Sequence, residues 1–142
     1  MKISTKGRYA LRMLLDLSVH QKEGCVSLKD IAERQGVSKK YLEQIVPMMN
    51  KANILVTSRG FQGGYRLAKS PAEYTVGEVL RATEGDLAPV SCLVHDASEC
   101  QRSMECSTLP VWQGLSAVIN HYLDSITLQD ILDGNVPLPD LK

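Results

Sequence analysis

The pattern that most constrains this chain is the way helix caps punctuate residues 27–46. Ser27-Leu28-Lys29-Asp30-Ile31-Ala32-Glu33-Arg34-Gln35 is closed by Gly36, and Val37-Ser38-Lys39-Lys40-Tyr41-Leu42-Glu43-Gln44-Ile45-Val46 follows at once. Ser27 and Ser38 are each suited to cap a helix, because a hydroxyl oxygen accepts one of the unpaired amides of the first turn. Asp30 stands at the acidic position of a capping box. Gly36 tolerates the left-handed backbone that ends helices. Leu28, Ile31 and Ala32 share one face, Leu42, Ile45 and Val46 another, and Val37 plugs the turn. A short helix, a glycine turn and a second capped helix make a helix-turn-helix. Pro47 lacks an N–H and leaves the Glu43 carbonyl without its partner, so the second helix is expected to kink or end there, with 48–52 an imperfect continuation.

The flanking segments complete a fold. Residues 54–58 and 64–68 read as strands around Arg59-Gly60-Phe61-Gln62-Gly63, and a hairpin directly after a helix-turn-helix is a wing. Upstream, Thr5 is expected to cap a helix reaching about His20, in which Ala10, Leu11, Leu14, Leu15 and Leu17 recur near helical spacing. Downstream, Thr75 and Glu78 form a capping-box pair before a helix over 76–83 that Gly85 ends. Pro110 suits the first turn of a long helix, where its missing N–H costs nothing. Trp112, Leu115, Val118, Ile119, Tyr122 and Leu123 line one wide apolar stripe on it, broader than one small domain needs. Thr127 with Asp130 caps a last short helix over 128–133, and Gly134 closes it. The expected class is mostly α with a small β-hairpin: a winged helix-turn-helix plus a long dimerisation helix. The expected division is 1–70 for the winged helix-turn-helix, 71–107 for a connecting helix and cysteine-containing loop, and 108–142 for the dimerisation helix and short C-terminal helix.

Charge is distributed as a DNA-reading module requires. The net charge is zero, yet residues 1–66 hold 12 Lys/Arg against 5 Asp/Glu (+7) and residues 67–142 hold 4 against 11 (−7). A basic half joined to an acidic half fits double-stranded DNA as the partner of the first. On the second helix, Ser38 and the amides behind it suit a phosphate at the positive end of the helix dipole. Lys39 and Lys40 suit phosphates, and Tyr41 a phosphate or a sugar. Gln44 can pair with adenine N6 and N7, and Glu43 can accept from cytosine N4. In the wing, Arg59 beside Gly60 suits a narrow minor groove, while Tyr65 suits hairpin packing. No apolar run approaches the roughly 20 residues of a membrane span, and the N-terminus lacks the apolar core of a signal peptide, so the expected location is the cytoplasm with no membrane partner. No nucleotide-binding loop or hydrolytic constellation is present, which argues against an enzyme.

Four cysteines occur. Cys25 stands apart and suits small-residue packing. Cys92, Cys100 and Cys106 crowd into one aperiodic stretch that also carries Asp86, His95, Asp96, Glu99 and Glu105. In a cytosolic protein this spacing favours metal or redox chemistry over a structural disulfide. Thiolates suit both iron–sulfur clusters and zinc, and a fourth ligand must come from elsewhere.

Lys2-Ile3-Ser4-Thr5-Lys6-Gly7-Arg8-Tyr9-Ala10, Tyr41-Leu42-Glu43-Gln44, Arg59-Gly60 with Gly63-Gly64-Tyr65, and Ile126-Thr127-Leu128 together resemble the Rrf-two family of bacterial winged-helix regulators. The resemblance runs over nearly the whole chain. It implies a transcription regulator, a repressor in the leading reading, that forms a homodimer through the long helix near 110–123 and binds palindromic operators. Members with three cysteines in this place hold an iron–sulfur cluster, so Cys92, Cys100 and Cys106 inherit that role. The likeness to those members favours 2Fe–2S over 4Fe–4S. It also implies that the cluster lies close to the partner subunit's DNA-binding domain. The first cysteine spacing is longer than in that pattern, and Leu109 stands where a histidine follows the last cysteine. The fourth ligand is therefore open among His95, Glu99, a group of the other subunit and a small exogenous molecule. The alternative is a cluster-free regulator controlled by a partner protein or by thiol oxidation.

Overall fold

Hydroxyl caps set the start of most helices in the computed structural model, which describes residues 1–95 and 100–140. Helix α1 spans Thr5–His20, and its cap is Ser4 rather than Thr5: the Ser4 hydroxyl accepts from the Gly7 amide at 3.3 Å. The one-residue difference has a long-range cause. The amide and hydroxyl of Ser4 both donate to Glu84 Oε1, which fixes Ser4 in extended geometry and leaves Thr5 as the first helical residue. Helix α2 (Leu28–Gln35) is capped by Ser27 and closed by Gly36 at φ 64°, as its sequence requires.

Helix α3 (Lys39–Lys51) begins at Ser38 and runs through Pro47 without ending there. Leu42, Ile45, Val46 and Met49 are all buried along this helix. Each such side chain contributes about 1.5–3 kcal/mol on burial, which together exceeds the roughly 3 kcal/mol that an internal proline costs.

Strands β1 (Leu55–Ser58) and β2 (Gly64–Leu67) pair antiparallel, from Leu55 opposite Leu67 to Ser58 opposite Gly64. The hairpin is tied back to the start of the helix-turn-helix. Val26 and Tyr65 exchange two backbone hydrogen bonds, each 2.8 Å. A Cβ on Gly64 would lie 2.4 Å from the Val26 carbonyl oxygen, so only glycine permits this approach.

Helix α4 (Val76–Glu84) and helix α6 (Leu128–Leu132) each open with a complete capping box, Thr75 with Glu78 and Thr127 with Asp130. The two caps also bond to one another: Val76 donates to Ile126 and Leu128 to Tyr74. Between them lies α5 (Leu109–Asp124). The main core unites Met13, Leu14 and Leu17 of α1 with Ile31, Leu42, Ile45, Met49, Val79 and Leu128. A smaller core of Val76, Leu80, Leu87 and Ile126 receives Tyr122 and Leu123 from α5. No residue of α5 is fully buried.

Candidate nucleic-acid interface and cysteine loop

The first two turns of α3 divide by chemistry. Lys39, Lys40, Glu43 and Gln44 are exposed, while Leu42, Ile45 and Val46 are buried. Ser38 is exposed at the positive end of the helix, its hydroxyl accepting from the Tyr41 amide at 3.1 Å. Lys39 Nζ stands 3.9 Å from Glu43 Oε1, with both side chains more than half exposed, so this loose pair leaves the lysine available to a phosphate. Tyr41 is half-buried. Its ring meets Tyr9 edge-on at 5.4 Å, and the Arg12 guanidinium lies 5.1 Å from the Tyr9 centroid. The ring thus also braces the first turn of α3 against α1.

A polar lock holds α2 on α1. Arg34 forks onto the Asp16 carboxylate, Nη2 to Oδ1 at 2.7 Å and Nε to Oδ2 at 3.0 Å, and Gln35 Nε2 donates to Oδ2 at 3.0 Å. Arg12 Nε donates in turn to Gln35 Oε1, and its Nη2 donates to the Gln35 carbonyl. Asp16 is the one charged residue buried among the described residues. Burial alone raises its carboxyl, yet the hydrogen bonds from Arg34 and Gln35 and the charges of Arg34 and His20 outweigh it and hold the group below its ordinary value. The sequence signal was an aspartate inside the apolar run from Leu14 to Leu17, and reading it needed the partner from another helix.

At the wing tip the Gly63 amide donates to the Gly60 carbonyl at 2.9 Å, closing a tight turn. Gly60 takes φ 107°, which favours glycine. Arg59, Gly60, Phe61 and Gln62 are all exposed on this turn, and Tyr65 packs against the main core.

The three cysteines lie between α4 and α5, and all are free thiols. Cys92 is exposed on the single helical turn Ser91–Leu93, Cys100 is exposed, and Cys106 is half-buried. Cys106 Sγ lies 3.4 Å from Thr108 Oγ1. Hydrogen bonds with the Thr108 hydroxyl and backbone, and with the Leu109 backbone, hold this thiol below the ordinary range, with a further contribution from Arg102. Asp86 organises the loop entrance, accepting from the Ala88 amide at 2.6 Å and from the His95 amide at 2.7 Å. Those two bonds, His95 first, keep its carboxyl below the usual value.

Of the candidate fourth ligands, His95 is placed at this entrance, and Glu99 lies outside the described residues. No three His, Cys, Asp or Glu side chains are grouped to hold a metal ion among the described residues. The donor set fits an iron–sulfur cluster in its chemistry: three free thiols on one loop, with that of Cys106 lowered by its hydrogen bonds to Thr108.

Sequence reasoning did not single out Arg81. Its guanidinium bridges α4 to α5, donating to both carboxylate oxygens of Asp124 and to Asn120 Oδ1, each at 2.8 Å. It also lines a cleft with Asp86, Leu87, Leu93 and His95, so the α4–α5 bridge and the mouth of the cysteine loop border one space.

A helix-turn-helix locked onto α1, a basic exposed face on its second helix and a wing pinned beside it define a winged helix-turn-helix transcription regulator that binds DNA. The chain belongs to the Rrf2 family: the family profile, described as iron-dependent transcriptional regulator, matches residues 3–134. It is 41% identical over 135 residues to the HTH-type transcriptional regulator IscR of Aliivibrio salmonicida, covering 95% of this chain and 79% of that protein. Among solved structures it is similar to CymR, the global cysteine regulator of B. subtilis, with TM-score 0.76, 35% identity and coverage of 94% of this chain and 98% of that one. It is likewise similar to T. potens IscR, with TM-score 0.72, 41% identity and coverage of 94% and 88%. The protein is a regulator and not an enzyme. Among the described residues, no helix is long and apolar enough to cross a membrane.

Proposed function

We propose that this protein is a cytoplasmic repressor that binds a palindromic operator as a homodimer, with its operator affinity set by an iron–sulfur cluster on Cys92, Cys100 and Cys106. The observation that carries the reading is the placement of three free thiols on one loop whose entrance shares a cleft with the Arg81 bridge between α4 and α5. When bound, such a cluster supplies a redox-active centre. The resemblance to the three-cysteine members of the family favours the 2Fe–2S form. The fourth position falls to His95, Glu99, a group of the second subunit or a small exogenous molecule.

The chain's own residues divide the remaining work. Ser38, Lys39, Lys40 and Tyr41 hold the DNA backbone, Gln44 and Glu43 read base edges in the major groove, and Arg59 with Gly60 enters the minor groove. Homodimerisation rests on α5. Val111, Leu115 and Val118 are 60%, 42% and 66% exposed, with Trp112, Ile119 and Tyr122 half-buried beside them. An apolar stripe of this extent on a 16-residue helix suits burial against a second copy.

The test is anaerobic purification followed by visible and Mössbauer spectroscopy with iron and sulfide counts. Two irons and two sulfides per chain, lost in each Cys→Ala variant of the trio and kept in Cys25→Ala, support the reading. A second reading, a cluster-free regulator switched by thiol oxidation or a partner protein, is favoured by the lowered Cys106 thiol. Colourless, iron-free protein whose operator binding changes on mild oxidation supports that one.

A further inference from the structure

The chain contains a single phenylalanine, and it sits where the chain itself cannot bury it. Phe61 is 104% exposed at the wing tip, the most exposed of the large hydrophobic side chains among the described residues. The turn beneath it is built to hold it there. Gly60 at φ 107° and the Gly63-to-Gly60 hydrogen bond place Phe61 and Gln62 at the apex. A Cβ on Gly63 would lie 2.6 Å from the Ser58 carbonyl oxygen, so the base of the turn is closed. The wing itself is fixed by the Val26–Tyr65 bonds one residue ahead of the α2 cap. Leaving an aromatic ring in water forgoes about 1.5–3 kcal/mol of burial, and a solvated tip would carry a polar residue at no cost.

We propose that Phe61 is a DNA-contacting residue: its ring lies against the sugar walls of the minor groove, beside the base step that Arg59 reaches. The occupant follows from the neighbour. Arg59 stands two residues away on the same turn, exposed, and a cation beside an apolar side chain suits a groove that is anionic at its phosphates and apolar along its sugars. Apolar side chains at minor-groove contacts commonly wedge against or between base steps. The inference rests on the regulator reading and extends it from charge to shape. Phe61 adds affinity through an apolar contact, and the part of the operator under the wing is selected for how readily it opens.

The experiment uses the full chain and a duplex that the wild-type protein enriches from a random library. Affinities of wild type, Phe61→Ala, Phe61→Leu and Arg59→Ala are measured across a salt series, with thermal unfolding as the control for folding. Phe61→Ala is expected to bind about 5- to 10-fold more weakly, the scale of one apolar or stacking contact. Its slope of log affinity against log salt should equal the wild type's, because no counterion-releasing group is lost. Phe61→Leu should retain most of the affinity, and Arg59→Ala should flatten the slope. Equal affinity of Phe61→Ala and wild type at every salt concentration overturns the proposal. Unchanged DNA affinity with lost repression in a reconstituted promoter assay overturns it too, and assigns the ring to a protein partner. Failure of the wild type to enrich any duplex is a separate outcome, counting against the operator-binding reading on which the proposal stands and so against both.

Discussion

Arg81 of α4 and Asp124 of α5 form a two-pronged ion pair, with Nη1 on Oδ1 and Nη2 on Oδ2, both at 2.8 Å. It is the point at which the helix packed on the DNA-reading core grips the helix that carries the exposed apolar stripe. Gly77 makes the approach possible, since a Cβ there would lie 2.0 Å from Asp124 Oδ1. Both partners are more than a third exposed, so the pair contributes only about 0.5–1 kcal/mol to stability. Its larger effect is geometric. Arg81→Ala should change unfolding little while weakening operator binding several-fold, because α5 is no longer held at one angle. Arg81→Lys should not rescue it, since an ammonium cannot make the fork. Chemical denaturation and operator titration of the two variants check both halves.

The Asp16–Arg34 lock has a sign that can be worked out. The native carboxyl titrates below its ordinary value, so the stabilisation it supplies is fully present above the unfolded value of about 3.9 and is lost as the pH falls from there through the lower native value. Asp16→Asn should cost about 2–4 kcal/mol at neutral pH, less than a fully enclosed pair would because the Arg34 side chain is 34% exposed. The wild type's stability should fall more steeply than the variant's on acidification below about pH 4. Urea midpoints across that range measure the difference.

On the recognition helix, Gln44→Ala should cost about 1–3 kcal/mol and relax preference at one base pair. Lys40→Ala should weaken all duplexes alike and reduce the salt slope. Binding-site selection with each variant separates the two roles. An unchanged site preference for Gln44→Ala contradicts the placement of this helix in the major groove.

Ile119→Glu places an unpaired charge on the α5 stripe and should yield monomer without palindrome binding. Val118→Glu, at a residue 66% exposed in the single chain, is the safer probe because it disturbs less intrachain packing than a change at the half-buried Ile119. Sedimentation at micromolar concentration reads the result. A wild type that sediments as a monomer argues against the dimer.

Much of the fold was legible because it is written in local chemistry. Ser27, Ser38, Thr75 and Thr127 cap helices by bonds that span three residues, and such bonds follow from spacing alone. Elements decided by distant partners were not legible. Ser4 displaces Thr5 as a cap through Glu84, 80 residues away, and α3 passes Pro47 because its apolar face is buried. The exposed face of α3 could be read from periodicity, whereas Asp16–Arg34 and Arg81–Asp124 join separate helices and carry no sequence pattern. The cysteines show both cases: their number and spacing point to metal or redox chemistry without choosing between them, and a ligand grouping is set by what a loop binds.

In the proposed function, the occupancy of the cysteine loop sets DNA affinity. The direct measurement is operator affinity of cluster-loaded and metal-free protein, taken anaerobically at one salt concentration, with Cys92→Ala, Cys100→Ala and Cys106→Ala alongside. At least a several-fold difference between the two wild-type forms is expected, with all three variants matching the metal-free form. Equal affinity of the loaded and metal-free forms for every native operator would contradict it.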